Sequence, residues 1–72
     1  MLVFVKNEHG ETLSIDVQAK DDVRALWNEI QAEVKDRDLS NARLLFNGVE
    51  LEDSKPLKHY QIEEASVIHL EG

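Results

Sequence analysis

The stretch that decides the fold of this chain reads LEDSKPLKHYQI, at residues 51–62. It has the character of an irregular connection, yet it carries three large aliphatic residues, Leu51, Leu57 and Ile62, and one tyrosine, Tyr60. A long irregular segment must satisfy its own backbone groups, and a phenol can do so while its ring packs. We therefore interpret these four residues as structural.

A hairpin precedes this stretch. The pair Asn47-Gly48 is the strongest short hairpin signal, because both residues of such a turn need positive φ. It joins a predicted strand over Arg43–Phe46, with alternate residues inward, to a short return strand over Val49–Leu51.

A second hairpin opens the chain. Residues 12–17 alternate cleanly between apolar and polar side chains, whereas residues 1–6 carry apolar side chains on both faces, with Leu2, Phe4 and Lys6 on the outer one. Gly10 lies in the loop between the two runs, where it is free to take positive φ. Residues 67–70 form the last predicted strand. The expected inward positions of these strands are Met1, Val3, Val5, Leu13, Ile15, Val17 and Leu70.

One amphipathic helix is predicted between the two hairpins. Asp21-Asp22 offers an N-cap, and its charge suits the positive end of a helix dipole. Leu39, in the polar loop that follows, is expected to fold back onto the end of the helix. The apolar stripe recurs at helical spacing and consists of Val23, Leu26, Trp27, Ile30 and Val34.

In order and at nearly the same spacing, the opening strand, the Asn47-Gly48 hairpin and the stretch at 51–62 resemble ubiquitin over essentially the whole chain. The resemblance implies a single ubiquitin-like domain at residues 1–72. The implied fold is α+β, a β-grasp in which a mixed sheet of four to five strands packs on one α-helix. Its first and last strands run parallel at the centre. The resemblance also implies that the hydroxyl of Tyr60 ties down the loop around it.

One departure concerns Trp27, which stands where ubiquitin has a partly buried lysine paired with the residue that matches Asp53. We expect Trp27 to pack against the sheet edge as a core residue rather than to serve as a binding handle. That leaves Asp53 to other partners.

The composition narrows the function. Fifteen acidic and eight basic residues give a net charge of −7, which disfavours nucleic acid and favours a basic partner or simply good solubility. There is no cysteine, and the three histidines show no ligand spacing, so neither a metal nor another cofactor is expected. No stretch is long and apolar enough to span a bilayer, and we expect a cytoplasmic or nuclear protein without a membrane partner.

Catalysis is not expected. Nothing organises the serines as nucleophiles, the turn glycines are isolated, and adjacent acids such as Glu63-Glu64 do not converge on a substrate. A domain of this size also has little room for a catalytic pocket.

Two functions remain open. The first is a non-conjugated interaction module, expected to be a monomer and the amino-terminal domain of a larger protein. The second is a free modifier conjugated through its carboxyl-terminal glycine. Leu70 is an inward strand position, so Glu71 and Gly72 would extend about 7 Å beyond it, at about 3.3–3.6 Å per residue. That reach is short for the active site of an adenylating enzyme, and we favour the module.

The predicted binding surface is the sheet face turned away from the helix. A continuous apolar strip on a small domain usually marks an interaction site. By resemblance, the positions of ubiquitin's main recognition patch are Glu8, Leu45, His69 and Glu71, two of which have become acidic. The implied partners are a proteasome receptor, a ubiquitin-binding helix or another domain of the parent protein. We expect Leu2, Phe4 and Val67 to lie together on this face, with Leu45, His69 and Val49 as an adjoining patch. The full set of predicted contact residues is Leu2, Phe4, Glu8, Arg43, Leu45, Gly48, Val49, Val67, His69 and Glu71.

Overall fold

The computed structural model describes residues 1–72 and contains five strands, one α-helix and one 3-10 turn. Along the chain these are β1 (Leu2–Lys6), β2 (Thr12–Asp16), α1 (Val23–Glu33), β3 (Arg43–Phe46), β4 (Val49–Glu50), the 3-10 turn (Leu57–Tyr60) and β5 (Val67–Glu71).

The five strands form one mixed sheet in the order β2-β1-β5-β3-β4. β1 and β5 pair in parallel at its centre, and every other neighbouring pair is antiparallel. With α1 covering one side, this is the β-grasp arrangement that the resemblance implied.

Both predicted hairpin turns are confirmed by the backbone. Gly10 has φ of +84°, in the loop between β1 and β2. Asn47 and Gly48 have φ of +53° and +78°, as a two-residue turn between β3 and β4 requires.

The predicted alternation is confirmed where the sheet meets the helix. Val3, Val5, Leu44 and Ile68 are at most 1% exposed, because their side chains all point to the side that α1 covers. Met1 and Leu13 are exceptions, since both are only half-buried, although they pack against the core.

Helix α1 buries Val23, Leu26 and Ile30, as the stripe predicted. Trp27 and Leu39 are half-buried and pack against the same core. The helix has 11 residues, and no helix in the structure has the length and apolar character needed to cross a membrane.

The start of α1 differs from the predicted N-cap. Asp22 holds the N-cap position, but its side chain caps no backbone N–H. The N–H groups of Val23 and Arg24 instead donate to the carbonyl oxygens of Lys55 and Asp53, at 2.9 and 3.1 Å. The loop that leads into the 3-10 turn therefore supplies the acceptors that a capping side chain would otherwise provide.

The decisive stretch behaves as predicted. Leu51, Leu57 and Ile62 are buried, and the Tyr60 hydroxyl accepts a hydrogen bond from the Glu52 N–H at 2.8 Å. The loop is thereby tied to the 3-10 turn.

The last strand is one residue longer than predicted. Leu70 is buried and pairs with Leu44, and Glu71 continues the ladder opposite Arg43. The N–H of Gly72 then donates to Glu8 Oε1 at 2.8 Å.

Candidate functional site

The outer face of the sheet, on the side away from α1, displays the alternate residues of the three inner strands. β1 contributes Leu2, Phe4 and Lys6, β5 contributes Val67, His69 and Glu71, and β3 contributes Arg43 and Leu45.

Three apolar side chains meet at one end of this face. In the parallel register Phe4 lies directly beside Val67, and Leu2, two residues before Phe4, lies on the same side of β1. Leu2 is 38% and Val67 44% exposed, which is high for large aliphatic residues, whereas Phe4 is half-buried. We call Leu2, Phe4 and Val67 the apolar patch.

A row of four side chains crosses the middle of the face. Lys6 is paired with His69, His69 with Leu45, and Leu45 with Glu50, so four successive strands each contribute one residue. We call these four residues the central row. Leu45 is half-buried and the other three are exposed, so the row presents an aliphatic and an imidazole side chain between a positive and a negative end.

The register corrects the predicted position of Val49. A two-residue turn makes Phe46 and Val49 partners and puts Glu50 opposite Leu45. Paired residues share a side of the sheet, so Val49 lies on the Phe46 side and not beside Leu45. It is 53% exposed at the edge of the sheet.

Charged side chains line the margin near the end of β5. Arg43 contacts Glu71 at 3.1 Å and Glu50 at 3.6 Å, and Glu8 accepts the Gly72 N–H. These ion pairs are largely exposed, so each is worth little and can exchange for a contact with a partner. The three acids Glu8, Glu50 and Glu71 outnumber the two bases Arg43 and Lys6, so this margin has a small net negative charge.

The outer face has almost no concavity. A depression of about 110 Å³ lies beside Lys6, Glu8, His69 and Glu71. Small-molecule sites are usually clefts of roughly 300–1,000 Å³. No group of three or more His, Cys, Asp or Glu side chains in the structure could hold a metal ion. The shape of this face suits a macromolecular surface.

The structure thus brings nearly all of the predicted residues together. Leu2, Phe4 and Val67 are neighbours, as are Leu45 and His69, and Arg43, Glu8 and Glu71 lie at the margin. Gly48 is at the exposed hairpin tip. Sequence reasoning missed Glu50 as the neighbour of Leu45, although the Asn47-Gly48 turn alone fixes that register.

The sequence matches the profile of the Ubiquitin family over residues 3–72. It is 34% identical to the Ubiquitin-like protein NEDD8 of Dictyostelium discoideum over 70 residues, which cover 97% of this chain and 90% of that protein. It is 30% identical to Ubiquitin-like protein 1 of Schizosaccharomyces pombe over 70 residues, which cover 97% of this chain and 88% of that protein.

Proposed function

This chain belongs to the ubiquitin family, and from that premise we propose that it is a protein-interaction module that docks partners of the ubiquitin–proteasome pathway through the outer face of its sheet. The observation that carries the proposal is the apolar patch. Two aliphatic side chains about 40% exposed flank Phe4 on a face that no other element of the domain covers.

The central row supplies the polar part of the interface. Leu45 and His69 lie side by side, and Lys6 and Glu50 close the row with opposite charges. An apolar centre with a polar rim is the usual anatomy of a protein interface. An amphipathic helix with its apolar stripe on Leu45 and basic residues toward Glu8 and Glu71 fits this arrangement.

Binding is tested by an amide chemical-shift titration of the labelled protein with a ubiquitin-binding helix peptide and with a proteasome ubiquitin receptor. We expect shifts at Leu45, His69 and Val67. Saturable shifts confined to α1 would overturn the proposal.

Two matched pairs of variants sharpen the test. His69→Ala should weaken binding. His59→Ala should leave binding unchanged, because His59 is an exposed residue of the 3-10 turn, outside the sheet. Val67→Ser should cost more affinity than Val49→Ser, because Val49 is a rim contact on the other side of the β3–β4 hairpin. Equal losses within both pairs would place the binding surface elsewhere.

One observation favours the second candidate, a modifier attached through its carboxyl-terminal glycine. The aligned region makes up 90% and 88% of the two relatives, so each of them is little more than one such domain. Two contacts in this structure count against that candidate. The residues through Glu71 pair within β5, and the N–H of Gly72 donates to Glu8. Incubation of the full-length native protein with an activating enzyme and ATP decides between the two, because a modifier would form a thioester.

A further inference from the structure

A cleft of about 360 Å³ opens on the helix side of the domain, away from the outer face. It lies between α1 and the loop before β3, with Asp53 from the loop after β4 on its wall. We call it the Trp27 cleft. It shares no residue with the apolar patch or the central row.

Three of the eight residues that line the cleft are apolar. Trp27, Leu39 and Ala42 line it, and each also packs against the core, so their side chains are held in place from behind. Trp27 is half-buried, because it packs against the core, as expected, and also lines the cleft. An indole is the best neutral surface for a cation in proteins.

Two carboxylates stand on the walls. Asp38 accepts a hydrogen bond from the Ser40 N–H at 2.9 Å, and hydrogen bonds from the backbone and side chain of Ser40 hold the pKa of Asp38 below its ordinary range. Asp38 is therefore ionised at neutral pH. Gln31 fixes this wall to the helix, because its Nε2 donates to the carbonyl oxygens of Val34 and Arg37 at 2.7 and 3.2 Å.

The second carboxylate already meets a guanidinium. Arg24, one helical turn before Trp27, contacts Asp53 at 3.8 Å, with both side chains more than half exposed. Such an exposed pair is weak and exchanges readily. The contact shows that Asp53 pairs with a guanidinium group, which a partner protein can supply in place of Arg24.

We propose that the Trp27 cleft binds an arginine side chain presented by a basic segment of a partner protein. The planar guanidinium stacks on the indole and hydrogen-bonds to Asp53, and Asp38, which also lines the cleft, adds charge complementarity. Lysine lacks the planar fork and fits less well. Free arginine fits less well too, because its own carboxylate would meet the same two acids and a chain of net charge −7.

The test uses the blocked tripeptide acetyl-Gly-Arg-Gly-amide as the probe and the same peptide with neutral citrulline as its control. Trp27 is the sole tryptophan, so its indole N–H resonance and its emission report on this cleft alone. We expect a saturable shift with the arginine peptide, a clearly weaker one with the citrulline peptide, and a loss of affinity as salt is raised.

Charge variants locate the site without removing the reporter. Asp53→Asn should weaken arginine-peptide binding roughly two- to fivefold, the worth of an exposed charge pair. Arg24→Gln should strengthen it by a similar factor, because the competing guanidinium is removed. Glu63→Gln and Lys58→Gln make the same changes in net charge at exposed sites outside the cleft and should leave affinity nearly unchanged.

Three outcomes would overturn the inference. The citrulline peptide could bind as well as the arginine peptide, Asp53→Asn could change affinity no more than Glu63→Gln, or the indole resonance could depend on protein concentration without peptide. The last would mean that a second copy of the chain fills the cleft. None of these outcomes bears on the proposed function, since the sheet-face titration uses other residues and other probes.

Discussion

Tyr60 shows how a single side chain fixes an irregular segment. Its hydroxyl accepts the Glu52 N–H at 2.8 Å, which connects the loop after β4 to the 3-10 turn. The resemblance implied that this hydroxyl ties down the loop around it, and the bond to the Glu52 N–H confirms that expectation.

Tyr60→Phe should therefore destabilise the domain by about 1 kcal/mol, since it removes one hydrogen bond and keeps the ring. Urea unfolding gives the free energy of unfolding, and hydrogen exchange should show the Glu52 amide opening faster. Tyr60→Leu, which loses the ring as well, should cost more. A Phe variant with native stability and a protected Glu52 amide would contradict this reading.

Asp38 should give a local pH response. Its pKa is lowered by the hydrogen bonds from Ser40, so the ionised carboxylate stabilises the folded state above the unfolded pKa. That stabilisation is lost as the pH falls through the lower, folded pKa. An NMR titration of the Asp38 carboxyl carbon should give a lower midpoint in the native protein than in urea, with Ser40→Ala between the two. Equal midpoints would refute it.

At the scale of secondary-structure elements, the start of α1 gives the next prediction. Asp22→Ala should cost less than about 0.5 kcal/mol, although an N-cap residue typically contributes about 1 kcal/mol. The reason is that the carbonyl oxygens of Lys55 and Asp53, and not the Asp22 side chain, receive the first N–H groups.

Asp21→Ala is the matched control for this prediction. Asp21 Oδ2 accepts the Gln18 N–H at 2.9 Å, so its loss should destabilise the domain more than the loss of Asp22. Chemical denaturation of both variants gives the two losses of stability. A larger loss in Asp22→Ala than in Asp21→Ala would mean that the Asp22 side chain caps the helix after all.

Periodicity predicted each strand and the helix to within a residue or two, because hydrophobic alternation and the Asn47-Gly48 turn are local signals. It did not predict the capping of α1, which depends on a loop about 30 residues further along the chain. The side occupied by Val49 was readable from the turn but was assigned wrongly. The extension of β5 to Glu71 depends on Arg43 opposite it, which no local pattern shows.

At the scale of the whole molecule, the order of the strands came from the family resemblance and not from the pattern. Parallel pairing of β1 with β5 places the first and last strands side by side, and the apolar patch exists only because of that pairing. The Trp27 cleft is similar, since Trp27, Asp38 and Asp53 come from three separate segments. Residue chemistry can be read from a sequence, but convergence of distant residues requires the fold.

The same architecture predicts how the domain unfolds. All 14 buried residues are hydrophobic and form one cluster, with no disulfide to support it. Leu44→Ala, at a fully buried position, should cost about 2–5 kcal/mol, a large share of the stability of a small domain. The adjacent Leu45→Ala, on the outer face, should cost less than half as much. Because one core joins α1 to β1, β2, β3 and β5, Trp27 emission and far-ultraviolet circular dichroism should report coincident transitions in both variants. Separate transitions would mean that the helix and the sheet unfold independently and that the cluster is not one cooperative core.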